Sequence, residues 1–277
     1  MKNSLEFWLI TYNLQFSLNG EKISDNLVKF ARQGITIFCL QEVVAQKNQP
    51  FIIDLILKKL GSNWKEIHYL NQNLGNANMG NCIIWDNSKF KLLKTQNLAL
   101  VPAKAFAIHE WIFAKLVGGN TIPYQRRSIM AEFEYQKFKF RIFNLHLDHI
   151  GGISQRMRQL EQVLAGNHHQ VKLDYEIFCG DFNNFDLLQT KQETKSTQAR
   201  FGLEFKHVSA DIDWTADLYN IEMANVVWWF KLAIKIFHIH IRRCLDAVWV
   251  KGFKSASCKK IELTGSDHFP ILTKLNF

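Results

Sequence analysis

The sequence predicts an α/β protein in which two β-sheets are flanked by helices. Short apolar segments typical of strands recur along the chain, helical periodicity fills several of the gaps between them, and two adjacent segments resemble a β-hairpin. The chain has 277 residues, of which 47% are hydrophobic and 22 are phenylalanine, enough apolar material for one large core. Only 4 prolines and 14 glycines occur, which argues against a disordered or fibrous chain. We therefore expect one domain over residues 1–277.

Eight segments are predicted as strands because they are short, rich in apolar or β-favouring residues, and bounded by turn-forming residues. They are 7–12, 35–40, 82–85, 128–133, 138–145, 176–179, 247–250 and 271–275. The fourth and fifth of these form the predicted hairpin. Helices are predicted around 26–31, over 51–60 and over 155–165, where apolar residues recur at helical spacing before a glycine.

The segment 226–241 departs from this pattern, because it is apolar except for Lys231, Lys235 and two histidines. It is too short and too often interrupted to span a bilayer. A wide apolar arc beside a cationic stripe fits an interfacial helix, and equally a core helix whose lysines extend to water. We predict the commoner core helix, although alternation over 236–241 is also typical of the start of a strand.

Charge and cysteine content narrow the class of protein. A formal net charge of +9 and a pI of about 9.3 favour anionic partners, although basic charge can serve solubility alone. The five cysteines show no CxxC spacing, and three lie in apolar strand-like runs, so neither a disulfide framework nor a zinc cluster is expected. Residues 1–15 lack a basic stretch followed by an apolar one, so we predict no signal peptide and a cytoplasmic location.

Polar residues suited to catalysis lie where the predicted strands end or begin. They are Asn13, Glu42, His146, Asp181, Asn183, Asp246, Asp267 and His268. Each motif alone also fits a simple turn, because Asp and Asn often bond their own backbone there. Strand ends converge at one edge of a sheet, so we expect one site. Together these residues supply the oxygen ligands that Mg²⁺ prefers, donors that neutralise charge on phosphate, and a carboxylate–imidazole group for proton transfer.

The motifs also resemble a known family in their order along the chain. They are Tyr12-Asn13, Leu40-Gln41-Glu42-Val43, Asn144-Leu145-His146-Leu147, Gly180-Asp181-Phe182-Asn183, Leu245-Asp246 and Gly265-Ser266-Asp267-His268-Phe269-Pro270. This series, over residues 7–275, resembles the endonuclease/exonuclease/phosphatase superfamily, which includes pancreatic deoxyribonuclease, apurinic endonucleases, neutral sphingomyelinases and inositol-polyphosphate phosphatases. The resemblance implies a four-layered α/β sandwich, with two facing, mainly antiparallel mixed sheets flanked by helices.

The resemblance also implies a metal site. Glu42 is then the principal Mg²⁺ ligand, with Asn13 and Asp267 nearby in the metal and phosphate shell. An all-oxygen shell favours Mg²⁺, or Mn²⁺ as an alternative, over Zn²⁺.

The remaining motif residues take catalytic roles by the same resemblance. Asp181 positions or deprotonates the attacking water, and Asn183 orients a phosphate oxygen. His268 contacts the scissile phosphate or transfers a proton, with Asp246 holding its tautomer. His146 donates to a non-bridging phosphate oxygen.

Two further residues are candidates for contact with the substrate phosphate. Arg127, in the run Gln125-Arg126-Arg127 before a strand, has the fork geometry that suits phosphate, although a solvated arginine pair explains it as well. His149 follows His146 closely, and a structural role fits it equally.

These features predict a metal-dependent hydrolase of phosphodiesters or phosphomonoesters. The basic charge favours nucleic acid as the substrate, and we expect a monomer. One alternative is a phospholipid or sphingomyelin-type phosphodiesterase that contacts a membrane through 226–241. Burial of Trp228, Trp229 and Phe230 would argue against it, and an exposed patch of these residues beside the catalytic edge would favour it. Another alternative is a non-catalytic binding module with the same fold, although every motif position retains a competent residue.

Overall fold

The structure, a computed structural model, describes residues 5–47, 50–73, 76–104, 108, 111–112, 115, 125–168, 170–184, 190–220 and 227–277. The strands are β1 Glu6–Asn13, β2 Ile37–Gln46, β3 Trp64–Asn73, β4 Ala77–Asp86, β5 Phe90–Ala99, β6 Arg127–Tyr135, β7 Phe138–His146, β8 Tyr175–Asp181, β9 Lys206–His207, β10 Ala216–Asp217, β11 Arg242–Arg243, β12 Asp246–Lys251, β13 Ser255–Lys260 and β14 Ile271–Asn276. The longer helices are α1 Gly20–Arg32, α2 Ile52–Leu60, α3 Gly152–His168, α4 Thr190–Phe201 and α5 Trp228–Ile236.

Two six-stranded sheets face each other across the main core. Their strand orders are β13-β14-β1-β2-β4-β3 and β5-β6-β7-β8-β12-β9. Each sheet contains one parallel pair, β1 with β2 and β7 with β8, among antiparallel neighbours. The predicted hairpin of β6 and β7 is confirmed.

Alternation along the central strands builds four layers. In β1, Leu9 points into the core between the sheets, whereas Ile10 packs on the outer side with Leu27 of α1. On the second sheet, Phe143 faces outward and packs with Leu160 of α3. Both faces of the central strands are therefore buried, which explains their continuous apolar runs. The predicted four-layered α/β sandwich is confirmed.

The sequence analysis missed three long strands and one helix for related reasons. The strands β3, β5 and β13 lie at sheet edges, where polar and charged residues alternate with few apolar ones. The helix α4 buries Glu193, Thr197 and Phe201 at helical spacing. Two of these three residues are polar, and Glu193 pairs with buried Arg156 (Nη2 to Oε2 3.0 Å). An apolar pattern could not reveal that face.

The predicted core helix in 226–241 is wrong. The helix α5 has only nine residues, and Ile234 is its one fully buried residue. Trp228 and Trp229 are 73% and 52% exposed, and Phe230 is partly buried. The strand that follows begins only at Arg242, and Val226 lies outside the described residues. In the described part of the chain, no helix is both long enough and apolar enough to cross a bilayer.

Candidate active site

The strand register brings the polar strand ends to one edge of the sandwich. In the first sheet, Asn13 at the end of β1 lies opposite Gln41 of β2. In the second sheet, Asp181 at the end of β8 lies between His146, which ends β7, and Asp246, which begins β12. Residues far apart in the sequence therefore meet because parallel pairing aligns the same ends of their strands.

Buried amides tie the two sheets together beneath this edge. Asn144 of β7 donates from Nδ2 to Leu40 O (3.0 Å) and Cys82 O (2.9 Å) in the opposite sheet. It accepts at Oδ1 from Gln41 Nε2 (2.6 Å). The bonds of the Asn144 amide fix its position, because moving either sheet would leave polar groups unsatisfied in the core. The two halves of the site are thereby held at a set separation.

Glu42 lies in a β-bulge within β2, and not after the strand as the sequence analysis expected. Pairing with β4 shifts between Leu40 and Val43, and Glu42 has a φ of 53°. The bulge lets the strand continue while the Glu42 side chain turns towards the site. Its Oε2 accepts from Phe16 N (3.0 Å), and its backbone oxygen accepts from Ser17 Oγ (3.2 Å).

Gly180 allows the close approach of β7 and β8 under the site. Its φ is 137°, and a Cβ there would lie 2.0 Å from Leu145 O. A side chain at this position would push the strands apart. His146 and Asp181, which follow directly, would separate with them.

Asp181 is the central carboxylate. Its Oδ2 accepts from Asn13 Nδ2 (2.9 Å), and its Oδ1 accepts from the backbone N of Asn183 (2.8 Å). Burial raises the pKa of Asp181 to about 7, and repulsion from Asp246 and Glu42 adds to the rise. A carboxyl group with this pKa can accept a proton near neutral pH.

His268 and Asp246 form a buried pair beside Asp181. His268 Nδ1 donates to Asp246 Oδ2 (2.8 Å), and His268 Nε2 lies 4.0 Å from Asp181 Oδ2. Burial alone lowers the pKa of His268, but attraction to Asp246 and Asp181 outweighs it, and the pKa is raised well above its usual value. The imidazole is therefore cationic at neutral pH, with one N–H held and the other facing the site.

His146 is neutral, unlike the cationic His268, and its tautomer is defined. Arg126 Nη1 lies 2.8 Å from His146 Nδ1. Arginine can only donate, so Nδ1 accepts and Nε2 carries the proton. That Nε2 is buried without a hydrogen bond, 3.8 Å from Glu42 Oε1 and 3.6 Å from Asp181 Oδ2. Burial, and then the charge of Arg126, lower the pKa of His146 well below its usual value.

Asp267, in the loop before β14, is the last of the carboxylates clustered at this edge. Burial raises the pKa of Asp267 to about 6, and the negative charge of Glu42 contributes to the rise. The loop is fixed on both sides: Ser266 Oγ donates to Asn13 O (2.8 Å), and Asp217 N donates to Asp267 O (2.9 Å).

The donor chemistry of the site fits a hard divalent cation. Carboxylates that raise one another's pKa are the groups that a cation stabilises, and oxygen donors are what Mg²⁺ and Mn²⁺ prefer. Within the described residues, Asp181, Asp246 and His268 also bring ligand atoms within 4.8 Å of one another. That trio also has the carboxylate–imidazole hydrogen bond that proton transfer uses, from His268 Nδ1 to Asp246 Oδ2. His146 is excluded as a ligand by the proton on Nε2.

The eight strand-end residues surround this edge, and phosphate contact by Arg127 and His149 stays a prediction. Arg127 lies at the start of β6, opposite Ala99 of β5. The Nδ1 of His149 is 3.3 Å from Arg126 Nη2, and burial lowers the pKa of His149 to about 3. Arg126, which the sequence analysis did not select, is the arginine that contacts His146.

Arg126 could not be identified from the sequence, because nothing local distinguishes it from its neighbour. Arg126 directly precedes β6, and only the tertiary structure decides which of the two arginines contacts His146. The contacts of Ser266, Gln41 and Asn144 depend on the tertiary structure too, although these residues lie inside the predicted motifs.

Comparison with known proteins yields structural relatives only. No protein-family model matches the sequence, and no curated protein is significantly similar to it. An endonuclease/exonuclease/phosphatase family protein from Leptotrichia buccalis C-1013-b is similar in structure, with a TM-score of 0.69 and 15% identity over 98% of this chain and 100% of that chain.

Two further solved structures carry more specific descriptions. TDP2 from D. rerio, complexed with a single-strand DNA product, has a TM-score of 0.64 and 15% identity over 98% of this chain and 99% of that chain. A mannosyl-6-phosphatase from Bacteroides thetaiotaomicron VPI-5482 has a TM-score of 0.61 and 17% identity over 98% of this chain and all of that chain. The chain therefore has the fold of the endonuclease/exonuclease/phosphatase superfamily.

Proposed function

We propose that this protein is a divalent-metal-dependent hydrolase of phosphate esters. The observation that carries the proposal is the arrangement at one sheet edge. Several carboxylates and two histidines surround the same small volume. One histidine is neutral and directs its N–H inward, and the other is cationic and paired with Asp246. Phosphate-ester hydrolysis needs a metal site, donors for phosphate oxygens and a proton acceptor for water, and this edge offers all three.

The metal site is assigned to Glu42 and Asp267, with Asn13 beside them. A bound Mg²⁺ would supply positive charge to a non-bridging phosphate oxygen. Asn13 also holds Asp181 through its Nδ2, so it orients the proposed base as well as bordering the cation.

Asp181 is the proposed acceptor of the proton of water. Its two oxygens are already fixed by Asn13 and by the backbone of Asn183, so the carboxylate needs no reorientation. His146 donates from Nε2 to a phosphate oxygen, and His268 places its cationic imidazole against the charge that develops there. The Asn183 side chain donates to Leu147 O (2.8 Å), which fixes the amide that we propose orients the phosphate.

Nucleic acid is the proposed substrate class, with lipid phosphodiesters as the second candidate. The net charge of +9 and the DNA product described for the TDP2 structure support nucleic acid. The exposure of Trp228 and Trp229 supports a substrate at a membrane surface. Both candidates use the same hydrolytic site, and we propose that it acts in a monomer.

A hydrolysis screen tests the proposal. The full-length protein is assayed with Mg²⁺ on single-stranded and duplex DNA, RNA, phospholipid vesicles and a soluble phosphodiester, bis(p-nitrophenyl) phosphate. We expect EDTA to abolish hydrolysis of whichever substrate is cut, and Mg²⁺ or Mn²⁺ to restore it. Glu42→Gln should abolish activity too, because it removes the principal ligand charge, whereas exposed Glu262→Gln serves as the control. Hydrolysis that survives thorough chelation would contradict the mechanism.

A further inference from the structure

The helix α5 and the residue that follows it expose an apolar surface, called here the α5 face. It consists of Trp228, Trp229, Leu232, Ile236 and Phe237. The helical residues recur at i, i+1, i+4 and i+8, so they lie on one side of the helix. Between 48% and 73% of each residue is exposed. A contiguous patch of two tryptophans, a phenylalanine and two aliphatic residues is unusual on a soluble surface and marks an interaction site.

The segment that carries the α5 face is held in place through the C-terminal half of α5 and the residues that follow it. Ile234, on the inner side of α5, is buried, and Lys235 lies over the ring of Tyr219 at 3.9 Å. Beyond the helix, His240 Nδ1 lies 2.6 Å from Asp217 Oδ2. The α5 face is therefore presented by an anchored helix.

Positive charge borders this apolar surface. Lys231 and Lys235 lie along one side of α5, and Arg242 and Arg243 follow in β11. The sequence contains no Asp or Glu between Glu222 and Asp246. An apolar face with a cationic border is the pattern by which helices lie in the interface of an anionic bilayer.

The α5 face is also tied to the candidate active site. The segment containing α5 leaves from β10, where Ala216 bridges His268, and it returns through β11 just before Asp246. The strands on either side of α5 are thus both next to the proposed Asp–His pair. His268 contacts β10, and Asp246 follows β11 closely in the sequence. A surface bound by α5 would lie beside the substrate edge.

A second group of residues repeats the same chemistry. Ile108, Trp111 and Ile112 are helical and exposed, and Lys115 lies over the Trp111 ring at 5.5 Å. Their spacing of i, i+3, i+4 and i+7 places them on one side of a helix.

From these observations we propose that the α5 face is a membrane-binding element whose occupant is the surface of an anionic lipid bilayer. Leucine and isoleucine contribute nothing to base stacking, so nucleic acid would use only part of this surface. A second copy docked symmetrically would bring the two lysine borders together, and α5 itself carries no acidic residue to pair with them. Acyl chains accept the apolar side chains, and anionic headgroups accept the lysines and arginines.

Vesicle flotation with the full-length protein tests this inference. Vesicles are phosphatidylcholine alone, or phosphatidylcholine with roughly 30% phosphatidylserine. We expect flotation with the anionic vesicles, weaker flotation with neutral ones, and a loss on adding salt. The double variant Trp228→Ala/Phe237→Ala should reduce partitioning by about 10-fold or more, since it removes the two most exposed aromatic side chains of the face. The control Val171→Ala/Leu203→Ala truncates exposed apolar residues outside α5 and should leave flotation unchanged.

The same variants separate other occupants and the proposed hydrolysis. Absence of flotation, or flotation unaffected by Trp228→Ala/Phe237→Ala, would overturn the proposal. So would a dimer in vesicle-free buffer that this variant dissociates, or oligonucleotide binding that the variant abolishes while flotation persists. Hydrolysis of soluble bis(p-nitrophenyl) phosphate should stay unchanged in both double variants. Membrane binding can therefore fail while hydrolysis is confirmed, or the reverse.

Discussion

The strand-end site buries ionisable side chains, whereas the α5 face exposes apolar ones. Both regions therefore depart from the usual distribution of side chains in a folded protein. At the site, Asp181, Asp246 and His268 are buried although they ionise, whereas at the α5 face Trp228 and Phe237 are exposed although they are apolar. These three buried groups have fixed partners, such as the 2.8 Å contact between His268 and Asp246. The exposed apolar groups have water on one side. Burying charge and exposing apolar surface both cost free energy, so both regions are candidates for function, one for catalysis and one for binding.

The two regions also differ in how strongly their residues depend on one another. The site depends on the register of β1, β2, β7, β8 and β12, so a change in one strand displaces several groups. The α5 face depends on one helix inserted between β10 and β11. We therefore expect substitutions in the site to act together and those on α5 to act nearly independently.

Apart from Glu42→Gln, the largest effect is expected for the Asp–His pair. His268→Ala should lower kcat by about 10²-fold or more, with a smaller effect on KM, because it removes a cation placed against the developing phosphate charge. Asp246→Asn should cost less, since it leaves the imidazole present but poorly oriented. Melting temperature is measured beside kcat, and parallel losses of both would indicate a purely structural role. A folded, fully active His268→Ala protein would end the catalytic assignment.

Arg126→Met should have the next largest effect, about 10-fold on kcat, because it releases the tautomer of His146. Burial and the charge of Arg126 lower the pKa of His146, so removing the arginine should raise that pKa. The measurement is the titration of His146 by NMR alongside activity. Arg127→Met is the matched control and should leave the His146 titration unchanged. An unchanged titration in Arg126→Met would contradict the assigned tautomer control.

A pH-dependent effect is expected for Asp267→Asn. In the wild-type protein the pKa of Asp267 rises from 3.8 to about 6 on folding, chiefly through burial. The native state then holds more protons than the unfolded chain between these values, so this carboxyl lowers the free energy of unfolding as pH increases. In Asp267→Asn that loss should disappear, and the variant should gain stability relative to wild type across this range.

Urea unfolding at a series of pH values measures this difference. Exposed Asp54→Asn is the control and should not show it. Mg²⁺ should stabilise the wild-type protein more at pH above 6 than below 4, because only the ionised carboxylates bind it. Equal pH profiles for Asp267→Asn and wild type would contradict the raised pKa.

The smallest effect is expected from the α5 face. Trp228→Ala should change the free energy of unfolding by less than about 0.5 kcal/mol, because the side chain is largely exposed. Trp249→Ala, the matched control, removes a buried ring stacked on Phe201 and should cost about 3–5 kcal/mol. Urea unfolding of both variants makes the comparison. A large loss in Trp228→Ala would show that α5 packs as part of the core.

Much of the fold was predictable because the central strands are buried on both faces. Segments 7–12 and 82–85 are apolar apart from Thr11, so local composition identifies them. Edge strands such as β13, with the sequence Ser-Ala-Ser-Cys-Lys-Lys, are half solvated and carry no comparable signal. The same holds for α4, whose buried face includes Glu193.

The sequence by itself determined the chemistry of the strand ends and their order along the chain, because residue type and position within a motif are local properties. Tertiary structure alone decided that Glu42 lies in a bulge, that Arg126 and not Arg127 contacts His146, and that α5 is exposed. Each of these depends on which other segment lies against the residue. A side chain is buried, or a tautomer fixed, by groups more than ten positions away, and no local pattern contains that information.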